Sequence, residues 1–353
     1  MKFDLDAAQQ RADYTEASRL KYAVLPELEK ELGNFQNSWI LERGHIAAVI
    51  ARQTGIPAEK ILKTKQDHLL HLEDDLNTVV YGQKESIREI ADTLLTSYAG
   101  ISSESRPLGS FLLKGPTGVG KTETAKAIAK FLFDQETNLV RLDLSEYSEK
   151  HSVAKLIGAP AGYVGYEEGG ILTEAIRRKP YSVVLFDEVE KAHPDFSDIL
   201  LQILDEGRLT DNKGRTINFK NTIVILTTNS KNIEADFKPE VLGRLDAILT
   251  YHSLDSSIME KLIEKQLRQL NERLKVKGIV IELSESTEHI LREQGFDPKF
   301  GARPLGSVFN RIVNRPLAKE ILSGTIGEGR FRADWNGEQL QFAAIPETVG
   351  SKR

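Results

Sequence analysis

Residues 115–122 read GPTGVGKT, a glycine-rich stretch that ends in a lysine and a threonine. Glycines let successive backbone N–H groups converge on phosphate oxygens, and a helix that begins there points its positive end at them. We predict that Lys121 reaches the outer phosphates of a nucleotide and that Thr122 holds magnesium. The predicted cradle comprises Gly115, Pro116, Thr117, Gly118, Val119 and Gly120. The alternative is a glycine-rich turn with an incidental lysine.

Two adjacent acids end the apolar run VVLFDE, residues 183–188. Asp187 is expected to reach Mg²⁺ through water, and Glu188 is expected to polarise the water that attacks the terminal phosphate. The alternative is that both acids only cap the helix that follows. Beside a phosphate cradle, the two acids favour an enzyme that hydrolyses ATP.

Short apolar runs must position these groups. They are SFLLKG, NLVRLDL, YSVVLFDE, NTIVILTTN and DAILTY. Each is rich in branched residues and bounded by turn formers, which is typical of buried strands. Helical stretches such as KTETAKAIAKFLF lie between several of them. This alternation predicts an α/β fold, in which helices flank both faces of a parallel five-stranded sheet.

The predicted ATPase domain spans residues 77–251. A smaller, mostly helical C-terminal domain is expected over residues 252–346. Its short β element is GRFRADWNGEQLQFAA, a predicted hairpin with Asn336 and Gly337 at the turn. Residues 347–353 are left as a tail.

The N-terminal part of the chain has a different pattern. Over residues 1–34 the apolar residues fall mostly four apart among charges, which is the narrow stripe of a coiled-coil helix. Pro26 is expected to kink this helix. Residues 35–76 are predicted to form short linker helices. This N-terminus looks like a cut through a longer coiled coil.

Composition limits the class of protein. The chain has 353 residues, a formal net charge of −5, 40% hydrophobic residues and no cysteine. Its length allows well-filled cores, and its acidic balance gives no reason to expect a nucleic-acid partner. No apolar run approaches the roughly 18 residues of a membrane span, so no membrane partner is expected. Without cysteine there are no disulfides or thiolate metal sites, which fits a cytoplasmic protein.

Longer blocks of the sequence resemble a known family. The second AAA+ ATPase module of the Clp unfoldases is similar in GPTGVGKTE, SEYSEKHSVAKLIGAPAGYVGYEEGG, LTEAIRRKPYSVVLFDEVEKAHPD, ILLQILDEGRLTDNKGRTINFKNT and GFDPKFGARPL. The leading helix TEASRLKYAVLPELEKEL resembles the end of the coiled-coil middle domain in ClpB-type disaggregases. The resemblance implies an AAA+ P-loop ATPase fold, with ATP and Mg²⁺ as its cofactors.

The resemblance also implies roles for five further residues. Asn229 matches the first sensor, which orients water near the terminal phosphate. Arg244 in LGRLD matches the arginine finger, which a ring subunit extends into its neighbour's nucleotide site. Arg303 in GARPL matches the second sensor, carried on the small domain. Val80 and Tyr81 match the start of the adenine pocket. Taken alone, these would be read as a turn asparagine, two surface arginines and a core pair.

The segment GYVG matches the main pore loop of the family's hexameric rings. An aromatic side chain flanked by glycines can press against an extended polypeptide whatever its sequence. Tyr163 is therefore expected to grip substrate, between Gly162 and Gly165. Val164 would support it, and Tyr166 would contact the neighbouring loop. The alternative is an aromatic cluster that packs over the domain.

The resemblance implies a motor that threads unfolded or aggregated protein through a homo-oligomeric ring, with a co-chaperone as a possible partner of the coiled coil. Residues 210–215, TDNKGR, are a candidate second pore loop at a hairpin tip. The sequence departs from the family in three places. Gly243 stands for the usual asparagine, and Gln53 for tryptophan. The segment 230–236 is shortened and lacks a hydrophobic docking tripeptide, so no peptidase partner is expected.

Other function classes stay open at this point. One is the unfoldase subunit of a Clp-type protease. Another is a nucleic-acid translocase, against which the acidic balance and the absence of Lys or Arg beside the pore aromatic both count. A third is a non-catalytic module that uses ATP only to assemble a ring. Intact Glu188, Asn229 and Arg244 count against it.

Overall fold

The structure is a computed structural model. It describes residues 13–27, 41, 43–54, 69–103, 105–133, 136–158, 169–254, 256–297 and 300–345. The chain divides into two compact units, Met1–Lys65 and Gln66–Arg353. The described part of the first unit is helical, with α1 over Tyr14–Arg19 and α2 over Arg43–Thr54. No helix in the described residues is both long enough and apolar enough to cross a bilayer.

Pro26 disturbs the first helix in a specific way. A proline lacks the N–H of an ordinary helical residue, and its ring collides with the carbonyl four residues before it. In the structure α1 continues as a wider π-helical turn over Leu20–Val24, in which the Leu25 N–H donates to the Leu20 carbonyl. Residues 25–27 remain helical. A π turn thus lies just before the proline at which the sequence predicts a kink.

The second unit is built on a five-stranded sheet. After the helices α3 (Leu72–Asn77) and α4 (Lys84–Tyr98), its elements in chain order are β1 (Gly109–Lys114), α5 (Lys121–Phe133), β2 (Leu139–Asp143), α6 (Lys150–Ile157), α7 (Ile171–Arg178), β3 (Val183–Asp187), α8 (Phe196–Glu206), β4 (Arg208–Thr210), β5 (Thr216–Asn218), β6 (Ile223–Thr228), α9 (Ile233–Asp236), α10 (Pro239–Leu242) and β7 (Ala247–Thr250). All five sheet strands are parallel, in the order β2-β3-β6-β1-β7. The five predicted strands and their parallel arrangement are confirmed.

Both faces of this sheet are buried. On β3, Val183 and Leu185 face one core cluster, while Val184 and Phe186 face the other. The first cluster includes side chains of α3, α4 and α5, and the second includes side chains of α6, α7 and α8. A strand covered on both faces has no polar side to alternate with, which explains its continuous apolar run.

The strands β4 and β5 form a separate antiparallel hairpin between α8 and β6. Its turn, residues 211–215, is the hairpin tip that the sequence predicts. The shortened segment contains the four-residue helix α9, whose Ile233 packs on the core. Gly243 has an ordinary helical φ of −72°, and a Cβ there would come no closer than 3.5 Å to other atoms. A Cβ is therefore accommodated at this position, and the glycine is not required by backbone conformation or by crowding at Cβ.

The smaller C-terminal part has its own core. Its elements are α11 (Ser256–Leu274), β8 (Ile279–Leu283), α12 (Glu285–Gly295), α13 (Leu305–Phe309), α14 (Arg315–Leu322), β9 (Gly329–Trp335) and β10 (Leu340–Ala344). The β9–β10 hairpin is confirmed. Strand β8 was not predicted; it pairs parallel to β9 and makes a three-stranded sheet. Ile279 and Ile281 are its buried residues.

Candidate nucleotide-binding site

A cavity of about 620 Å³ lies where the carboxyl ends of the sheet strands meet α5 and the smaller C-terminal part. In a parallel sheet these ends share one edge, where ligands characteristically bind. Its walls include Val79, Val80, Tyr81, Thr117, Gly118, Val119, Gly120, Lys121, Thr122, Glu123, Arg141, Asp143, Asp187, Glu188, Asn229, Lys265, Gln266, Gln269 and Arg303. Most of the nucleotide-site residues predicted from sequence therefore lie around one space.

The glycine-rich turn between β1 and α5 is shaped by close backbone approaches. Gly118 has a φ of +81°, and a Cβ there would lie 2.4 Å from the Phe300 carbonyl oxygen and 3.3 Å from Arg303 Cβ. Only glycine fits such a position without displacing the backbone. The turn can therefore come close to the segment that carries Arg303.

Gly115 offers a stability test of this turn. Its φ is +154°, and an added Cβ would lie 2.3 Å from the Tyr251 carbonyl oxygen. We expect Gly115→Ala to lower stability by about 1–3 kcal/mol, because the backbone must shift to relieve this contact. The measurement is the thermal unfolding midpoint. Gly306→Ala is the control, since a Cβ there would meet nothing within 4 Å. Equal midpoints for both variants would contradict the crowding.

Lys121 reaches back over the turn from the start of α5. Its Nζ donates to the carbonyls of Gly115 and Pro116, the latter at 2.8 Å, and to Asn229 Oδ1 at 2.9 Å. The residue is 8% exposed. Burial lowers the pKa of the ammonium to about 8, although the nearby carboxylates of Glu190, Asp187 and Glu188 act in the opposite direction. The cation is thus held at the cavity wall by neutral oxygens.

Asp187 ends β3 and is held on both carboxylate oxygens. Thr227 Oγ1 donates to its Oδ1, and Arg141 Nη2 donates to its Oδ2 at 2.7 Å. Arg141 comes from β2, the next strand along the sheet. Two carboxylate oxygens with a threonine hydroxyl nearby are hard ligands of the kind that Mg²⁺ prefers. The described residues contain no group of three or more His, Asp or Glu that could hold a metal alone.

Glu188 follows in a strained backbone conformation. Its φ of +57° makes it the only non-glycine residue with a positive φ among those described. It stands before the short 3-10 turn Val189–Lys191, but its side chain makes no capping hydrogen bond. Its carboxylate instead pairs with Lys191 and receives Asn229 Nδ2 at 3.4 Å. The helix-cap interpretation of Glu188 is therefore wrong, and strain of this kind is common at functional sites.

Asn229 is central to the site. Its Oδ1 accepts from Lys121 Nζ and from Thr117 Oγ1 at 3.3 Å, while its Nδ2 faces Glu188. Its own N–H donates to Glu190 Oε1 at 3.1 Å, which fixes the residue at the end of β6. One amide thus touches both the cation and the acid.

The far end of the cavity lies between α5 and α11, the first helix of the smaller C-terminal part. Val80 is 3% exposed and lies beside the turn, since a Cβ on Gly120 would be 3.5 Å from its Cγ1. From α11, Lys265 Nζ donates to Glu123 Oε1 at 2.7 Å and to the Val79 carbonyl at 3.1 Å. These bonds hold the small domain against α5 and against the start of the predicted adenine pocket.

The two predicted arginines lie in different places. Arg303 borders the cavity. Arg244 is not among the described residues around it, and its Nε lies 2.6 Å from Asp205 Oδ1 on α8. Arg106 also approaches that carboxylate, at 3.7 Å. The structure therefore places Arg303, and not Arg244, at the nucleotide site of its own chain.

Other predicted residues cannot be placed. Gly162, Tyr163, Val164, Gly165 and Tyr166 lie outside the described residues. So do most of the linker residues that follow Gln53.

Sequence reasoning missed several residues of the cavity. Arg141 and Asp143 alternate with buried residues at the carboxyl end of β2, so their position could have been inferred from the predicted sheet edge. Lys265 had no local signal, because its role depends on how α11 packs against α5.

Comparisons with known proteins agree with this geometry. The family model described as "AAA domain (Cdc48 subfamily)" matches residues 106–274, and that of the "C-terminal, D2-small domain, of ClpB protein" matches residues 254–331. Chaperone protein ClpB of Rickettsia bellii is 45% identical over 94% of this chain and 42% of the relative. The ClpB of Corynebacterium efficiens is 46% identical, over 93% and 41% respectively. That of Meiothermus ruber is 44% identical, over 99% and 45%.

The chain spans well under half of the length of these curated relatives, 41% to 45% in the three cases. The match to the D2-small model begins in the loop that follows β7 and continues into β9. The parallel sheet, the glycine-rich turn and the acids of β3 all lie within the AAA match. The chain belongs to the ClpB family of AAA proteins.

Proposed function

We propose that this chain is the ATP-hydrolysing motor module of a protein disaggregase, which threads unfolded or aggregated polypeptide through a ring of identical subunits. The observation that carries the proposal is the position of Asn229, whose amide touches the Lys121 ammonium and the Glu188 carboxylate at once. The side chain of Asn229 thereby holds together, at the cavity wall, the ammonium that would bind phosphate and the carboxylate that would act as the base.

The residues divide the work of hydrolysis between them. Lys121 neutralises the outer phosphates and gives up its bonds to the backbone carbonyls. Glu188 takes a proton from the attacking water, which Asn229 orients. Thr122 would supply a hydroxyl oxygen to Mg²⁺ and Asp187 would hold the ion through water; the bound ion would stabilise the negative charge of the phosphates. Val80 and Tyr81 contact the base of the nucleotide at the other end.

Arg303 and Arg244 act from two directions. Arg303 reaches the phosphates from the small domain, so that the presence of nucleotide affects the domain arrangement. Arg244 enters the cavity of the adjacent subunit, where a guanidinium stabilises charge that develops in the transition state. Its position beside Asp205, away from the cavity of its own chain, supports a role between subunits.

We also propose that domain boundaries lie near residues 77 and 252.

Assembly can be tested by light scattering. We expect the chain to form a ring when a slowly hydrolysed ATP analogue is added, because Arg244 of one subunit would then contact the nucleotide bound to the next subunit. If the measured molar mass remains that of a single chain under these conditions, the proposal of a nucleotide site shared between subunits is wrong. We also propose that a co-chaperone binds the coiled coil and that no peptidase associates with this protein.

Tyr163 provides the test of threading. We expect Tyr163→Ala to reduce unfolding of a stable fluorescent reporter about ten-fold or more, because the aromatic grip is lost. ATP turnover should continue, since the nucleotide cavity is unchanged. Tyr163→Phe is the control, because it keeps the ring. Reporter unfolding by Tyr163→Ala at the wild-type rate would remove the pore assignment.

A further inference from the structure

The segment that carries Tyr163 begins and ends at one place, where the buried Gly158 and Gly170 come together. Gly158 ends α6 and Gly170 precedes α7, and a Cβ on Gly158 would lie 3.2 Å from the Gly170 nitrogen. A Cβ on Gly170 would in turn lie 2.4 Å from the Leu156 carbonyl oxygen. The two ends therefore meet backbone against backbone. Residues 159–168 form the connection between them.

The β4–β5 hairpin tip is fastened to the first of these ends. The Asn212 N–H donates to the Ile157 carbonyl at 3.1 Å, and its side-chain Nδ2 donates to the Gly158 carbonyl. Both bonds reach carbonyls at the C-terminal end of α6, where helical carbonyls take partners from outside the helix. One residue of the tip thus satisfies two acceptors at the start of the segment.

The same tip is fastened to the second end through Arg215. Its Nη2 donates to Glu174 Oε1 at 2.7 Å, in the first turn of α7. Glu174 lies against Gly169, since a Cβ there would be 3.0 Å from Glu174 Oε1 and 3.2 Å from Arg215 Nη2. The hairpin tip therefore contacts both sides of the neck.

The tip itself is held by hydrogen bonds to a buried carboxylate. The Asp211 side chain is 1% exposed, and its Oδ1 accepts from the backbone N–H groups of Lys213 and Arg215 at 3.0 and 2.8 Å. Its Oδ2 accepts from Arg215 Nε at 2.7 Å. Arg215 is thus a charged bridge between two carboxylates, and bridges of this kind have a defined geometry. These side chains are engaged with their own chain.

We propose that Asn212 and Arg215 are positioning residues, which hold the two ends of the segment 159–168 together, one at Gly158 and the other at Gly169 and Glu174. The inference rests on the proposed function for the statement that this segment grips polypeptide. It assigns the hairpin tip a supporting role, in place of the direct substrate contact that a second pore loop would make.

The chain lacks cysteine, which permits a direct test. A nitroxide label is attached to Tyr163→Cys, alone and combined with Asn212→Asp or Glu174→Gln. Asn212→Asp keeps the size of the side chain but removes the donor to Gly158, and Glu174→Gln removes the charge that Arg215 bridges. We expect the rotational correlation time of the label to fall at least about two-fold in both variants. Thr216→Ala is the control, because among the described residues the hydroxyl of this exposed threonine contacts only Thr210 of the same hairpin, at 3.5 Å.

A second measurement uses the unlabelled chain with Tyr163 intact. We expect Asn212→Asp to lower the amount of reporter unfolded per ATP hydrolysed about ten-fold at saturating reporter, because a misplaced group loses much of its effect. The half-saturating reporter concentration should change little. Unchanged label motion in both Asn212→Asp and Glu174→Gln would overturn the inference, as would a raised half-saturating concentration without any change in label motion. If the parent chain threads nothing, the proposed function fails, while the label still decides whether the tip positions the segment.

Discussion

Glu188→Gln is expected to slow ATP hydrolysis about a thousand-fold, because an amide cannot accept the proton of the attacking water. The substitution keeps the size of the side chain. Nucleotide affinity should therefore stay near that of the parent chain, since Lys121 and its partners are untouched. Single-turnover hydrolysis of labelled ATP measures the first quantity, and titration with a fluorescent analogue measures the second.

The control for this prediction is Glu146→Gln. Glu146 is an exposed acid in the 3-10 turn after β2, and it does not border the cavity. The Glu146→Gln variant should hydrolyse ATP at the rate of the parent chain. If Glu188→Gln does the same, another group activates the water and the assignment of Glu188 is wrong. If its nucleotide affinity collapses, the residue acts in binding and not in proton transfer.

Arg244→Ala is expected to lower ATP turnover of the assembled protein about a thousand-fold or more, which is the usual effect of an arginine finger. The physical reason is that the phosphates lose a cation supplied by the adjacent subunit. Turnover of the dilute, unassembled chain should not change. The measurement is the steady-state rate over a range of protein concentrations. Arg106→Ala is a matched control, since Arg106 also approaches Asp205 but is predicted to act in no nucleotide site.

Mixing two inactive variants sharpens this test. An Arg244→Ala subunit keeps an intact cavity, and a Glu188→Gln subunit keeps an intact finger. If the finger acts across a head-to-tail interface, a random equal mixture should recover about a quarter of the parent activity. A mixture that stays inactive, although light scattering shows mixed rings, would place Arg244 outside the neighbouring site.

The strands and the phosphate-binding turn could be predicted because their signals are local. Each strand is an unbroken apolar run, and burial on both faces of the sheet is the reason. In a parallel sheet the carboxyl ends of the strands lie at one edge, so Asp187 and Asn229 had to come near the glycine-rich turn. Strand β8 escaped notice because only Ile279 and Ile281 are buried, directly after a long helix.

Other parts of the site depend on contacts between distant residues. Nothing beside Lys265 in the sequence indicates that it bonds to Glu123, which lies 142 positions earlier. The pairing of Arg244 with Asp205 is of the same kind, as is the attachment of Asn212 to Gly158. Such contacts follow from how whole helices and hairpins pack, and a short window of sequence does not contain that information.

The bonds of Lys265 couple the position of the C-terminal part to the geometry of the proposed nucleotide site. Because residues of α11 line the cavity, a movement of the C-terminal part away from α5 would break the bonds of Lys265 and widen the proposed nucleotide site. Thermodynamic linkage is reciprocal: if this movement weakens nucleotide binding by a given free energy, bound nucleotide opposes the movement by the same free energy. If the chain threads polypeptide as we propose, a load on that polypeptide would change the nucleotide affinity of the subunit that bears it.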